Sequence, residues 1–233
     1  MKKSIGKVNI VVNGAGAAGT AIVKLLLNAG AANIIMLDSK GIMHEGMDMR
    51  RINAVQDALL ARTNRQKIKG QLIDAVQGAD VLIGVSSPGI FTAEMIQSMS
   101  TDPIVLSLCN PEPEMSYADA KAAGAKVAGT GRSDSPNQVN NVLVFPGVFR
   151  GAIDVRARKI NEDMKLAAVY AIADLVDEDE LREEYVVPNV FDPRVAPAVA
   201  AAVAGAAIKS GVARVCLDPE EVRINTAARI KAC

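Results

Sequence analysis

Near the start of the chain, Val8-Asn9-Ile10-Val11-Val12-Asn13 is a largely β-branched run. It ends in Gly14-Ala15-Gly16-Ala17-Ala18-Gly19, and an Ala- and Leu-rich segment follows directly. A strand that passes through Gly-x-Gly-x-x-Gly into a helix brings unpaired N–H groups and the positive end of the helix dipole to the turn. That arrangement suits an anion such as a phosphate. Gly14 would allow the tight turn, Gly16 would let the backbone approach a pyrophosphate, and Gly19 would let the helix pack closely on the strand. The same spacing also occurs in ordinary strand-to-helix turns. The context here adds a second apolar run, Asn33-Ile34-Ile35-Met36-Leu37, which ends in Asp38. An acid about twenty residues past the glycines is placed to accept hydrogen bonds from an adenosine ribose, so the stretch reads as a dinucleotide site.

Further candidates stand where apolar runs stop. Val81-Leu82-Ile83-Gly84-Val85 leads into Ser86-Ser87-Pro88-Gly89, making Val85 and Ser86 candidate contacts, with an ordinary turn as the equal alternative. Ile104 to Leu108 stops at Cys109-Asn110-Pro111-Glu112-Pro113; the amide of Asn110 both donates and accepts, but Asn-Pro also starts turns. The polar segment 130–141 closes with Asn140 and Asn141, one held at the edge of an expected strand Val142–Phe145 and the other free to face the crevice, with a polar turn as the equal alternative. His44, the only histidine, sits in a Gly-containing loop and reads as solvated. Tyr117 and Lys121 are four apart on an expected helix and read as a surface pair.

These residues need a scaffold, and the pattern supplies one. Strands are expected at 8–13, 33–37, 81–85, 104–108 and 126–129. Helices are expected at about 17–29, 54–62, 92–99 and 116–123. Strict alternation of strand and helix implies an α/β fold with a doubly wound, mainly parallel Rossmann-type sheet. Past Pro146-Gly147 the chain reads as a mainly helical extension, about 147–233, with helices near 147–155, 161–175 and 193–210. Asn161 would be an N-cap, Asp192-Pro193 would start the last helix, and the acidic run 177–184 would be a solvated helix face. The whole of 1–233 reads as one domain with this helical C-terminal extension.

Composition bounds the rest. Of 233 residues, 50% are apolar but only 3% aromatic, so the core must be built from Ala, Val, Ile and Leu. The 26 basic and 26 acidic residues cancel, which argues against nucleic acid and acidic membrane surfaces as partners. The run behind Met1-Lys2-Lys3-Ser4 is too short and too interrupted for a secretory leader, and Val195–Ile208 is too short to span a bilayer. Three cysteines and one histidine without ligand spacing offer no zinc site and suit a reducing, cytoplasmic setting.

Taken together, the segments 12–19, 38–41, 84–86, 110–111, 130–142 and 191–194 resemble the cofactor-binding domain of bacterial-type malic enzymes over about Lys7 to Arg214. The resemblance implies oxidation of malate by NAD or NADP and decarboxylation to pyruvate, with Mg²⁺ or Mn²⁺ polarising the C2 oxygen. It assigns Gly14, Gly16, Ala17, Ala18, Gly19, Asp38, Ser39, Lys40, Val85, Ser86, Leu108 and Cys109 to the dinucleotide. Asn110, Asn140 and Asn141 would reach malate, with Asn110 and Asn141 also reaching the nicotinamide. Asp38 favours NAD, whereas Ser39 and Lys40 would pair with a 2′-phosphate, so NADP stays open. The family's lysine base, tyrosine acid and metal carboxylates lie ahead of the segment matching Val8, so no catalytic residue or metal ligand is placed here. The implied partners are malate or pyruvate, an N-terminal malic enzyme domain in cis or in trans, and further copies in a homo-oligomer. The alternatives are a redox-sensing dinucleotide module and the nucleotide domain of an amino-acid dehydrogenase.

Overall fold

The computed structural model describes residues 3–48 and 52–231. The chain divides into two compact units, Met1–Pro136 and Asn137–Cys233.

The first unit is a six-stranded sheet in the order β3-β2-β1-β4-β5-β6. Its strands are β1 Asn9–Asn13, β2 Asn33–Asp38, β3 Gly41–Ile42, β4 Val81–Gly84, β5 Ile104–Ser107 and β6 Val127–Thr130. All neighbours run parallel except β3, which turns back antiparallel on β2 through Leu37 opposite Ile42. Helices α1 Ala17–Asn28, α2 Ala54–Leu60, α3 Leu72–Val76, α4 Ala93–Gln97 and α5 Tyr117–Ala122 connect the strands.

Alternate residues of each strand feed two separate cores. Ile10, Val12, Ile34, Met36 and Ile83 pack with Val23 and Leu27 of α1 and Leu59 and Leu60 of α2. Val11, Leu37, Leu82, Val105 and Ala128 pack with Ala75, Ile96 and Ala120 of α3 to α5. Covering both faces is why the strands read as unbroken apolar runs. It also makes the sheet doubly wound, with the chain reversing its direction of growth between β1 and β4.

The second unit is helical: a 3₁₀ turn Asn141–Leu143, then α6 Phe145–Asp154, α7 Glu162–Ala173, α8 Val195–Lys209 and α9 Pro219–Lys231. Helix α8 is its axis, packed by the other three and apolar nearly all round, with Val199, Ala200, Val203, Ala204 and Ala207 completely buried. Gly147 and Gly151 let α6 approach it: a Cβ on Gly147 would lie 2.6 Å from Val199 Cβ, and one on Gly151 would lie 2.3 Å from the Ala200 carbonyl oxygen. Asn161 caps α7 through the Met164 amide, as its position implies. No helix among the described residues is long and apolar enough to cross a membrane.

Three expectations are corrected. Val142–Phe145 is not a strand: Asn140 accepts a hydrogen bond from the Val142 amide, and Pro146 stands in the first turn of α6, so local capping overrides the β-branched pattern. Helix α8 spans Val195–Lys209 and so starts two residues past Pro193, although Asp192 accepts from the Arg194 amide as a cap at that position does. The acidic run 177–184 is exposed apart from the half-buried Glu183, but it lies outside any helix, past the end of α7. The short β3 and α3, and the polar α9, were not expected.

Candidate functional site

The carboxyl ends of β1, β2, β4 and β5 meet on one edge of the first unit. At β1, Gly14 takes φ +116°, which an L side chain rarely adopts. A Cβ there would also lie 2.5 Å from the Val85 carbonyl oxygen. A Cβ on Gly19 would overlap the Gly14 carbonyl oxygen at 1.7 Å, so α1 starts flush against the turn only because this position has no side chain. Nothing lies within 4 Å of a Cβ built on Gly16. Gly16 is the N-cap of α1 and brings no side-chain cap, and Gly16, Ala17 and Ala18 are exposed. The first turn of α1 therefore presents its amide donors to open space, while Gly14 and Gly19 hold it there.

A cleft of about 680 Å³ runs from this turn past Asp38 and Ser39 at the end of β2 to Ser86 and Ser87 beyond β4, with Ile73, Ile90 and Met95 as its apolar wall. Asp38 accepts a hydrogen bond from the Lys40 amide at 2.8 Å, which folds the chain tightly after β2. Gln56 of α2, whose helix begins with a complete capping box around Asn53, donates to the Ala15 carbonyl at 2.7 Å and braces the glycine turn from the other side. The empty ground before Gly16, the unshielded helix start and the acid at the end of β2 fit the phosphates and ribose of a dinucleotide.

On the other half of the edge, Ser86 receives the Asn13 side-chain amide at 2.7 Å, and its own amide donates to Glu114. Leu108 and Cys109 follow β5, and the Cys109 thiol rests 3.5 Å from the Ser86 carbonyl oxygen. Burial, and next the Glu114 carboxylate, push this thiol above its ordinary range, so it stays protonated near neutral pH. Asn110 is exposed at the head of a cis Asn110–Pro111 bond, and a Cβ on Gly131 would lie 3.3 Å from its side-chain amide.

The remaining candidates belong to other segments. Asn140 and Asn141 belong to the second unit, where Asn140 caps the 3₁₀ turn and Asn141 is its exposed first residue. In the polar segment, Arg132 and Asp134 pair with each other; that bond draws the Asp134 carboxyl below its usual range. His44 is half-buried beside the Glu45 carbonyl. Lys121 donates to the Lys126 carbonyl, while Tyr117 packs against the sheet. Asn13, Gln56 and above all Glu114 were not singled out from the sequence. Among the described residues no three His, Cys, Asp or Glu side chains are grouped to hold a metal ion.

Comparison with known proteins supplies the family. The family model described as malic enzyme, NAD binding domain matches residues 1–208. The bifunctional malic/malolactic enzyme of Bacillus subtilis is 57% identical over 224 residues, covering 96% of this chain and 54% of that protein. An NADP-dependent malic enzyme of Haemophilus influenzae is 44% identical, covering 91% of this chain and 30% of that protein. The crystal structure of Entamoeba histolytica malic enzyme superimposes with a TM-score of 0.94 at 39% identity, over 99% of this chain and 49% of that one. The chain thus spans about half the length of the Bacillus protein and of the Entamoeba chain, and less of the Haemophilus enzyme.

Proposed function

The chain belongs to the malic enzyme family, as its NAD-binding domain, and from that premise we propose that it holds a nicotinamide adenine dinucleotide along the β1/β4 edge during oxidative decarboxylation of malate. The observation that carries the placement is the turn at Gly14, Gly16 and Gly19: two of these positions exclude a side chain for reasons internal to the fold, and the third opens onto free space. The pyrophosphate lies against the amides of Ala17 and Ala18, and Asp38 accepts from the adenosine ribose, with Ser39 and Lys40 beside it. Val85, Ser86, Leu108 and Cys109 line the path toward the nicotinamide, which Asn110 reaches. Asn140 and Asn141 keep the assignment to malate, and Asn141 also that to the nicotinamide, on the strength of the resemblance.

The dinucleotide, when bound, accepts the hydride from C2 of malate; the chain's own part is to bind and orient it. The carboxylate of Asp38 repels a 2′-phosphate, so NAD is the preferred cofactor, although the family includes enzymes named for either. The base, the acid and the Mg²⁺ or Mn²⁺ ligands belong to the additional length of the relatives, joined in cis or supplied in trans, within a homo-oligomer.

Calorimetric titration with NAD, followed by an assay of cofactor reduction with malate and Mn²⁺, tests this reading. NAD binding without reduction, and reduction once a malic enzyme N-terminal half is added, is the expected result. Failure to bind NAD overturns it, and malate-dependent reduction by these 233 residues alone overturns the division of labour.

A further inference from the structure

Glu114 is completely buried, yet nothing in the cofactor assignment uses it. Its carboxylate lies beneath the ends of two neighbouring strands: Oε1 accepts from the Ser86 amide at 2.8 Å, and Oε2 from the Cys109 amide at 3.0 Å. Hydrogen bonds to both oxygens replace the hydration lost on burial. The backbone of the same segment is tied to the loop after β4, since Phe91 donates to the Glu114 carbonyl at 3.2 Å and Gly89 to the Pro113 carbonyl at 3.1 Å. Gly84 makes the room, because a Cβ there would lie 2.4 Å from Glu114 Cδ. Through Ser86 the chain of bonds continues to Asn13 at the end of β1. One buried side chain thus fixes the spacing of the β4 and β5 loops and links them to the glycine turn.

We propose that Glu114 is a positioning residue for the nicotinamide half of the cofactor. The proposal rests on the dinucleotide reading above. With the ribose of adenosine at β2 and the phosphates at α1, the other half of the molecule extends over the β4 and β5 ends that Glu114 clamps. Glu114 acts through the Ser86 and Cys109 loops and does not touch the ligand. The adenosine ribose depends on Asp38 at the end of β2, whereas the side-chain bonds of Glu114 go to the loops after β4 and β5.

The test compares calorimetric affinities for NAD and for adenosine 5′-monophosphate in the wild type, Glu114→Gln and Asn13→Ser. Glutamine keeps the shape, but its amino group faces one of the two N–H donors, so one loop loses its acceptor. Asn13→Ser loosens the far end of the chain of bonds without touching the buried carboxyl. The expected result is a loss of NAD affinity of about 10-fold or more in Glu114→Gln, a smaller loss in Asn13→Ser, and monophosphate affinity within about twofold of wild type. Equal losses of both ligands, or no loss of either, overturn the proposal, and if Glu114→Gln does not fold, Asn13→Ser alone decides by the same split. A wild type that binds neither ligand overturns the dinucleotide reading first, and this proposal with it.

Discussion

Replacing Gly16 by alanine separates what the fold needs at the glycine turn from what a ligand needs there. The residue has φ −72° and ψ −166°, which alanine adopts freely, and its Cβ would meet nothing within 4 Å. Alanine is a poorer N-cap than glycine by up to about 1 kcal/mol, and the restricted unfolded chain returns about 0.4–1 kcal/mol, so stability should change by less than about 1 kcal/mol. A dinucleotide, however, must bring phosphate oxygens into the space the methyl group occupies. Losing one charge-assisted bond to the α1 amides is worth about 1.5–3 kcal/mol, or roughly 10- to 100-fold in Kd. Gly19→Ala reverses the pattern, since its Cβ would stand 1.7 Å from the Gly14 carbonyl oxygen and α1 must move away. That variant should lose stability as well as NAD affinity, by about 1–3 kcal/mol in stability or more. Thermal melting combined with NAD calorimetry on both variants is the assay. Wild-type NAD affinity in Gly16→Ala would refute the placement of the phosphates.

Asp38→Ser should weaken NAD by about tenfold and tighten NADP, because the acceptor for the ribose goes while Lys40 remains to meet a 2′-phosphate; an unchanged order of affinities would show that Asp38 does not choose the cofactor. Burial pushes the Asp80 carboxyl up, but bonds from Lys3, the Asn9 amide and Ser100 outweigh it and hold the group below its ordinary 3.8. A depressed folded-state value means stability that is fully present above pH 3.8 and is lost as pH falls through the lower folded value. Denaturant titrations should therefore show Asp80→Asn less stable than wild type by about 1–2 kcal/mol at neutral pH, with the gap closing in strong acid; a gap independent of pH would contradict the ionic account. In the second unit, Gly151→Ala would press its Cβ to 2.3 Å from the Ala200 carbonyl oxygen and should cost about 1–3 kcal/mol, read from its melting transition.

What could be read in advance follows the physics of each element. Strands β1, β2, β4, β5 and β6 were visible because a sheet covered on both faces demands apolar residues at every position, as in Ile10-Val11-Val12 serving two cores. Two residues of β3 and five of α3 are too few to show a period, and α9 buries only Val222 and Thr226, so it has no apolar stripe to detect. Val142-Leu143-Val144-Phe145 failed for the opposite reason: its composition favours a strand, and a single side-chain acceptor at Asn140 with a proline at 146 decides otherwise.

The site divides in the same way. A phosphate cradle made of backbone requires side chains to be missing, and missing side chains at fixed spacing are a local signal; Gly14, Gly16 and Gly19 announce themselves. Asp38 follows by position, since it ends the strand beside the cradle. Groups that work by bonding across the fold leave no such mark: Gln56 reaches Ala15, Asn13 reaches Ser86, and Glu114 reaches both Ser86 and Cys109. In sequence, Glu114 is one more acid in a proline-rich loop. Its only local trace is Gly84, which ends a strand of larger apolar residues and whose lack of a side chain admits the carboxylate. A glycine that closes a buried parallel strand without needing a positive φ is therefore a sign that something packs against it, and here the occupant is the group that holds two loops of the candidate site together.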